Sequence, residues 1–199
     1  MGKIDKLVIN IFGAPGVGKS TLARKLEKFM QEKGFYPFLV EEFATYLIKN
    51  GKTDKLKDQT YVTFFQSKLI QKGFEWSNLL ITDSPIDLGE IYNQDPKLDY
   101  TVKAMIDECK SHYTSVNLFL RHEVATRVGY SMDTRVHTFE ESLKIQDQIM
   151  EKFRGKLILI DRDAPLENIL QIIKNSVEFK EFYRYWGEVI ENRIKASKD

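Results

Sequence analysis

The stretch Val8-Ile9-Asn10-Ile11-Phe12-Gly13-Ala14-Pro15-Gly16-Val17-Gly18-Lys19-Ser20-Thr21 decides how the rest of the chain is read. An apolar run is followed by G-x-x-x-x-G-K-S and then by Leu22, Leu26, Phe29 and Met30 at i, i+4, i+7 and i+8, one face of a helix. Strand, glycine-rich turn and helix in that order predict a phosphate-binding P-loop. The glycines let successive backbone N–H groups converge on one concavity, and the helix start adds the positive end of its dipole. The residues from Gly13 to Thr21 are therefore the candidate ATP-binding set. Lys19 reaches the β- and γ-phosphates, and Ser20 is a candidate Mg²⁺ ligand. The competing reading, a chance glycine-rich turn, leaves the flanking strand and helix unexplained.

Outward from the loop, apolar strands alternate with helical patterns. The expected strands are Leu7 to Phe12, Phe35 to Val40, Leu79 to Asp83, Val116 to Leu120 and Lys156 to Ile160. Between them, helical spacing predicts a short helix through Tyr46 to Ile48, a long one over Asp54 to Trp76, and one over Asp99 to His112. Ser84 to Pro96 reads as a loop with one helical turn. Thr138-Phe139-Glu140-Glu141 is a capping box opening a helix to about Phe153. Leu166 to Val177 and Phe179 to Ile194 carry two further apolar stripes. The alternation predicts an α/β fold, a doubly wound five-stranded parallel sheet with helices on both faces. Ligands of such sheets bind beyond the carboxyl ends of the strands, where the loop, Glu41-Glu42 and Asp83 all fall. Residues 1–178 are expected to form the main domain, in which about 122–138 carries little apolar periodicity. The 179–199 tail is expected to pack on that domain as an amphipathic helix.

The 199 residues are 42% hydrophobic and 30% charged, with a formal net charge of +1. That balance excludes the global positive field of a nucleic-acid binder, though not a local patch. The single cysteine, Cys109, shares a helical face with Val102, Met105 and Ile106, as a structural thiol does. No run of 18 apolar residues and no signal-peptide pattern is present, so a cytoplasmic protein without membrane spans is expected. His112, His122 and His137 show no metal-ligand spacing.

The loop says only that a nucleoside triphosphate binds. N-K-x-D, D-x-x-G and L-S-G-G-Q are absent, which excludes the guanine-reading and transporter-type relatives of the motif. Ser84 stands where hydrolytic motors place a water-polarising Glu after the strand-end Asp. Phosphoryl transfer to a bound acceptor is left, needing positioning, Mg²⁺ and positive charge on the transferred group. Asp83 is the candidate second metal-side carboxylate; its other reading is a cap on the next turn. Gln66 presents a donor and an acceptor in one plane and could meet an acceptor's edge. Tyr61, Phe64, Phe65 and Phe43 could stack a ring, although an aromatic stripe at helical spacing is more often core.

Between Arg24 and Arg121 there is no arginine, so the usual guanidinium clamp for an acceptor phosphate has no candidate there. An uncharged, nucleoside-like acceptor is the corresponding expectation. Arg127 and Arg135 flank Val128 to Thr134 and are the candidate cations for the transferred phosphate, which needs positive charge beyond Lys19. Lys49, Lys52, Lys55 and Lys57 form a local cluster, offset by Asp54 and Asp58. It reads as a solvated face or as a track for a nucleic-acid backbone.

On the P-loop, Glu42-Phe43-Ala44, Gln66, Ile81-Thr82-Asp83-Ser84-Pro85 and the stretch from Arg127 to His137, the chain resembles the small P-loop kinases of nucleosides and nucleotides. It is most similar to the nicotinamide riboside kinase-like proteins with an AAA-type label. The resemblance implies that a strand-two carboxylate, Glu42 before Glu41, orients the acceptor hydroxyl and takes its proton, with Phe43 beside it. It also implies that about 122–138 is a lid closing over ATP, bringing Arg127 or Arg135 to the transferred phosphate. Thr45 stands where that family has Arg. Some resembling bacteriophage kinases phosphorylate a hydroxymethylated base within DNA, which makes DNA the alternative acceptor. A regulatory ATP-binding protein with slow turnover is a third possibility. Oligomeric state is not legible.

Overall fold

The computed structural model describes residues 5–121 and 138–196. Within them five parallel strands, β1 (Leu7–Phe12), β2 (Phe38–Val40), β3 (Leu79–Thr82), β4 (Thr114–Leu120) and β5 (Ile158–Ile160), form one sheet in the order β2-β3-β1-β4-β5. The helices are α1 (Lys19–Glu32), α2 (Phe43–Lys49), α3 (Gln59–Gly73), α4 (Gly89–Tyr92), α5 (Asp99–Lys110), α6 (Phe139–Lys152), α7 (Leu166–Asn175) and α8 (Val177–Ala196). The doubly wound parallel sheet expected from the alternation is the fold observed.

The six residues of β1 are all buried, because a central parallel strand is covered on both faces. Leu7, Ile9 and Ile11 point into the layer of Leu26 and Met30 of α1, Ile169 and Ile173 of α7, and Phe179 and Phe182 of α8. Val8 points the other way, with Ile70 of α3 and Val102 and Ile106 of α5. Phe12 packs with Phe119 of β4 and Ile145 and Ile149 of α6. Each fully buried Leu, Ile or Met contributes roughly 1.5–3 kcal/mol relative to exposure, so the wholly buried β1 anchors the sheet between its two helix layers. Its one polar residue, Asn10, sits opposite Asn117 on β4 and donates Nδ2–H to Asn117 Oδ1 at 2.8 Å. Trp186 of α8 donates to the Asp5 carbonyl at 2.8 Å, holding the C-terminal helix beside the start of β1.

Several boundaries differ from the expectation, each for a local reason. The second strand begins at Phe38 and not Phe35, because Pro37 has no N–H to give a ladder. Phe35 instead turns inward, its N–H on the Met30 carbonyl at 2.9 Å and its ring on Phe179. The single long helix over 54–76 is a 3₁₀ turn, Thr53–Lys57, and then α3. Asp58 divides them by capping α3, its carboxylate accepting from the Tyr61 N–H at 3.0 Å. The β4 strand starts two residues earlier than expected and β5 two later. The capping box at Thr138 is formed in both directions, Thr138 to the Glu141 N–H and Glu141 to the Thr138 N–H. The lid segment lies outside the described residues apart from Thr138, and Arg127 and Arg135 lie outside them with it. No helix among the described residues is long and apolar enough to cross a membrane.

Cys109 is buried in the α5 layer beside Tyr113, and burial pushes its thiol up to about 11 from an ordinary 9.0. Burial likewise raises the Tyr113 phenol well above its usual value. A raised folded-state value means that the folded protein holds its proton where the unfolded chain releases it. Stability from Cys109 is therefore fully present below pH 9 and lost as pH climbs towards 11. Thermal melts should show Tm falling across that window, with a shallower fall in Cys109→Ala. The native thiol should also resist alkylation at pH 8; rapid labelling of folded protein contradicts the assignment.

Candidate active site

The P-loop follows the carboxyl end of β1 and leads directly into α1. Gly13 has φ 150°, and a Cβ there would lie 2.6 Å from the Leu120 carbonyl oxygen, so the loop base is packed against the end of β4. Gly18 caps α1 in the left-handed region at φ 105°, with no side chain to occupy the first-turn N–H groups. No acidic residue lies in that first turn. The helix start is thus left to an external anion, which the dipole favours. Lys19 Nζ donates to the carbonyls of Gly13 and Ala14, both at 3.0 Å, which places the ammonium over the loop. Ser20 and Thr21 are exposed at the same end.

Beside Ser20 opens a cleft of about 110 Å³ between α1 and α2, over the end of β2. Ser20, Asp83, Glu41 and Glu42 all line it, so the structure brings these four expected residues together. The turn after β3 is held by Thr82, whose Oγ1 accepts from the Ser84 N–H at 3.1 Å; Asp83 does not cap it and faces the cleft. Glu42 occupies the N-cap position of α2 but its side chain makes no capping bond. Instead its Oε2 accepts from the Thr45 hydroxyl at 2.6 Å. Thr45 thus orients the Glu42 carboxylate.

Gln66 sits behind the carboxylates and is not part of the cleft wall. Its Oε1 accepts from the Phe43 N–H at 2.9 Å and its Nε2 donates to the Glu41 carbonyl at 3.3 Å. The buried carboxamide therefore straddles Glu42 and fixes the corner between β2 and α2. Phe43 is buried as well, stacked on Phe65 and on Tyr46. Of the aromatic cluster, Tyr46 is the member that reaches the cleft wall.

Four contributors were missed in the sequence. Arg24, Tyr46 and Lys49 line the cleft, and Ser142 lies behind the loop. Arg24 was legible in principle, since i+4 from Ser20 places both on one face of α1. Ser142 was not, being 127 positions from its partner: its buried hydroxyl donates to the Pro15 carbonyl at 2.8 Å and ties α6 to the P-loop. Removing it in Ser142→Ala should cost about 1 kcal/mol. We expect a slightly lower Tm and a roughly fivefold weaker ATP affinity by calorimetry. Unchanged affinity removes Ser142 from the positioning of the loop.

Elsewhere, Lys52, Lys55 and Lys57 are exposed along the 3₁₀ turn, with Lys55 4.0 Å from Asp54. Arg121 at the end of β4 stands 4.0 Å from Asp161 beyond β5. No group of three or more His, Cys, Asp or Glu side chains among the described residues could cage a metal. Mg²⁺ does not need one, since it commonly takes one or two protein oxygens and fills its shell with phosphate and water. Ser20 and Asp83 fit that donor set.

The order β2-β3-β1-β4-β5 and the loop at its switch point define a P-loop protein with the fold of the nucleoside and nucleotide kinases. The AAA domain model matches residues 8–165, and the chain belongs to that family. Among solved structures, NadR in complex with NAD and AMP-PNP aligns with TM-score 0.61 and 11% identity, over 88% of this chain and 50% of NadR. This chain therefore spans about half the length of NadR. Deoxyadenosine kinase from M. mycoides with bound dATP aligns with TM-score 0.52 and 18% identity, over 84% of this chain and 97% of that one. Thymidylate kinase from Ehrlichia chaffeensis gives 0.53 and 15%, over 85% and 97%. No curated protein matches in sequence.

Proposed function

We propose that this protein is a Mg²⁺- and ATP-dependent kinase that transfers the γ-phosphate to a hydroxyl of a small, nucleoside-like acceptor. The observation that carries this reading is the convergence of Ser20, Asp83 and Glu42 on one cleft that opens beside the P-loop. The structural neighbours named above support it: one is a deoxyadenosine kinase, one a thymidylate kinase, and NadR is described with AMP-PNP and, in a second structure, with NR.

In this reading the loop amides and Lys19 hold the β- and γ-phosphates. Ser20 and Asp83 would hold Mg²⁺, which would supply charge neutralisation to the triphosphate. Glu42, held by Thr45, accepts a hydrogen bond from the attacking hydroxyl and takes its proton as the new P–O bond forms and ADP leaves. Arg127 or Arg135 supplies cationic charge to the equatorial oxygens.

The test is incubation with γ-labelled ATP against nucleosides, nicotinamide riboside, nucleoside monophosphates, and duplex DNA with and without hydroxymethylated pyrimidines. Label should pass to a small molecule. Transfer to DNA alone replaces the reading with that of a DNA-hydroxyl kinase, for which the exposed lysines near α2 would be the backbone track. ATP turnover without any labelled acceptor replaces it with a regulatory ATPase.

A further inference from the structure

The cleft has two chemically different ends. On α1, Ser20 is followed one turn later by Arg24, and both line the cleft. Four residues of helix advance about 6 Å, so the guanidinium root lies that far along from the metal-side hydroxyl. On α2, Glu42, Thr45, Tyr46 and Lys49 also line it, at i, i+3, i+4 and i+7, one face of the helix. This second stripe advances roughly 10 Å from the candidate base to the Lys49 ammonium root. Each wall thus begins with a group suited to phosphoryl transfer and ends in a cation.

Arg24 has one carboxylate close on its own helix, Glu27, whose carboxyl burial raises above its usual value while the Leu39 backbone and the Arg24 charge pull it back down. No ion pair within 4.0 Å joins Arg24 to a described residue. Lys49 at the end of α2 is also favoured by the helix dipole. Arg24, in the middle of α1, has no such account. A guanidinium fork and an ammonium on the wall of one cleft, beyond the carboxylates Glu41, Glu42 and Asp83 that also line it, are suited to a phosphate group.

We propose that Arg24 and Lys49 form the seat for an anionic end of the acceptor, a phosphomonoester carried on the same molecule as the hydroxyl. The inference rests on the kinase reading for the hydroxyl end. It replaces the uncharged acceptor end expected from the gap in the arginine map, because Arg24, at the edge of that gap, belongs to the acceptor cleft.

The experiment is equilibrium binding by calorimetry of four nucleosides and their 5′-monophosphates, with the P-loop saturated by a non-hydrolysable ATP analogue and Mg²⁺. At least one monophosphate should bind about tenfold or more tightly than its nucleoside. Arg24→Gln should remove most of that difference, Arg24→Lys should restore part of it, and Lys49→Gln should reduce it. Lys52→Gln, an exposed lysine outside the cleft wall, should leave it intact, and melting curves establish that each variant is folded. Equal binding within every pair overturns the inference, as does a preference that survives Arg24→Gln. So does a single-stranded oligonucleotide that binds through Arg24 when no monophosphate binds. Binding is read without turnover. A protein that prefers monophosphates through Arg24 but transfers phosphate to nothing keeps this inference and loses the kinase reading.

Discussion

Replacing Lys19 by alanine is expected to lower the rate of phosphoryl transfer by about 10²–10³ while the fold survives. The size follows from where the ammonium sits. Its two 3.0 Å bonds to the Gly13 and Ala14 carbonyls hold it over the loop, next to the N–H groups that Gly18 leaves uncapped. In the proposed transfer, charge that develops on the β–γ bridge as the bond breaks would be met there by a cation already in place. Losing it raises the barrier by about 3–4 kcal/mol. Stability should change little, because the chain fold around Lys19 is set by the buried β1 residues and by Leu22, Leu26 and Met30 on the opposite face of α1. The check is single-turnover kinetics together with a melting curve. Lys19→Arg keeps the charge but not the reach, and should recover only a small part of the rate. A folded Lys19→Ala protein with undiminished transfer would remove the P-loop from the chemistry altogether.

How much of this was legible in the sequence depended on how local each signal is. The P-loop was, because the strand, the glycines and the helix that define it are adjacent in the chain. So was the central strand β1, whose run of apolar residues has no solvent-facing alternative. The edges of the elements were less so: Pro37 shortens β2 and Asp58 splits a helix, and both residues stand in plain view once their backbone chemistry is weighed against the apolar pattern. Gln66 illustrates a different limit. Its residue type suggested a ligand contact, but a buried corner between β2 and α2 has backbone groups that need partners, and the carboxamide satisfies two of them. Phe43 follows the same logic, its ring stacked into the cluster with Phe65. The arginine map has a limit of another kind: it counts sequence intervals, whereas the cleft is built from α1 and α2 side by side, with Arg24 of the P-loop helix on its wall.

The second large effect is expected at Glu42, and it separates two adjacent carboxylates that sequence alone leaves equivalent. Glu41 and Glu42 both line the cleft, but Glu41 is exposed, whereas Glu42 is half-buried and receives the Thr45 hydroxyl at 2.6 Å. The backbone on either side of Glu42 is fixed by Gln66, through the Glu41 carbonyl and the Phe43 N–H. A carboxylate held by one hydroxyl on a backbone fixed at both sides loses little entropy when it meets a hydroxyl, which is what a positioned base requires. Glu42→Gln keeps the shape and an accepting oxygen for Thr45 but cannot take a proton. It should lower kcat by about 10²-fold, with the KM for ATP unchanged and the acceptor KM altered only slightly. Glu41→Gln should change kcat by less than about threefold, as expected of an exposed charge screened by solvent. Thr45→Val should fall between them, since the base remains but its orientation is loosened. The ordering is the informative result: a larger loss at Glu41 than at Glu42 reassigns the base. Equal, small losses at both point to a loose transition state in which the acceptor hydroxyl keeps its proton until the phosphoryl group has nearly transferred.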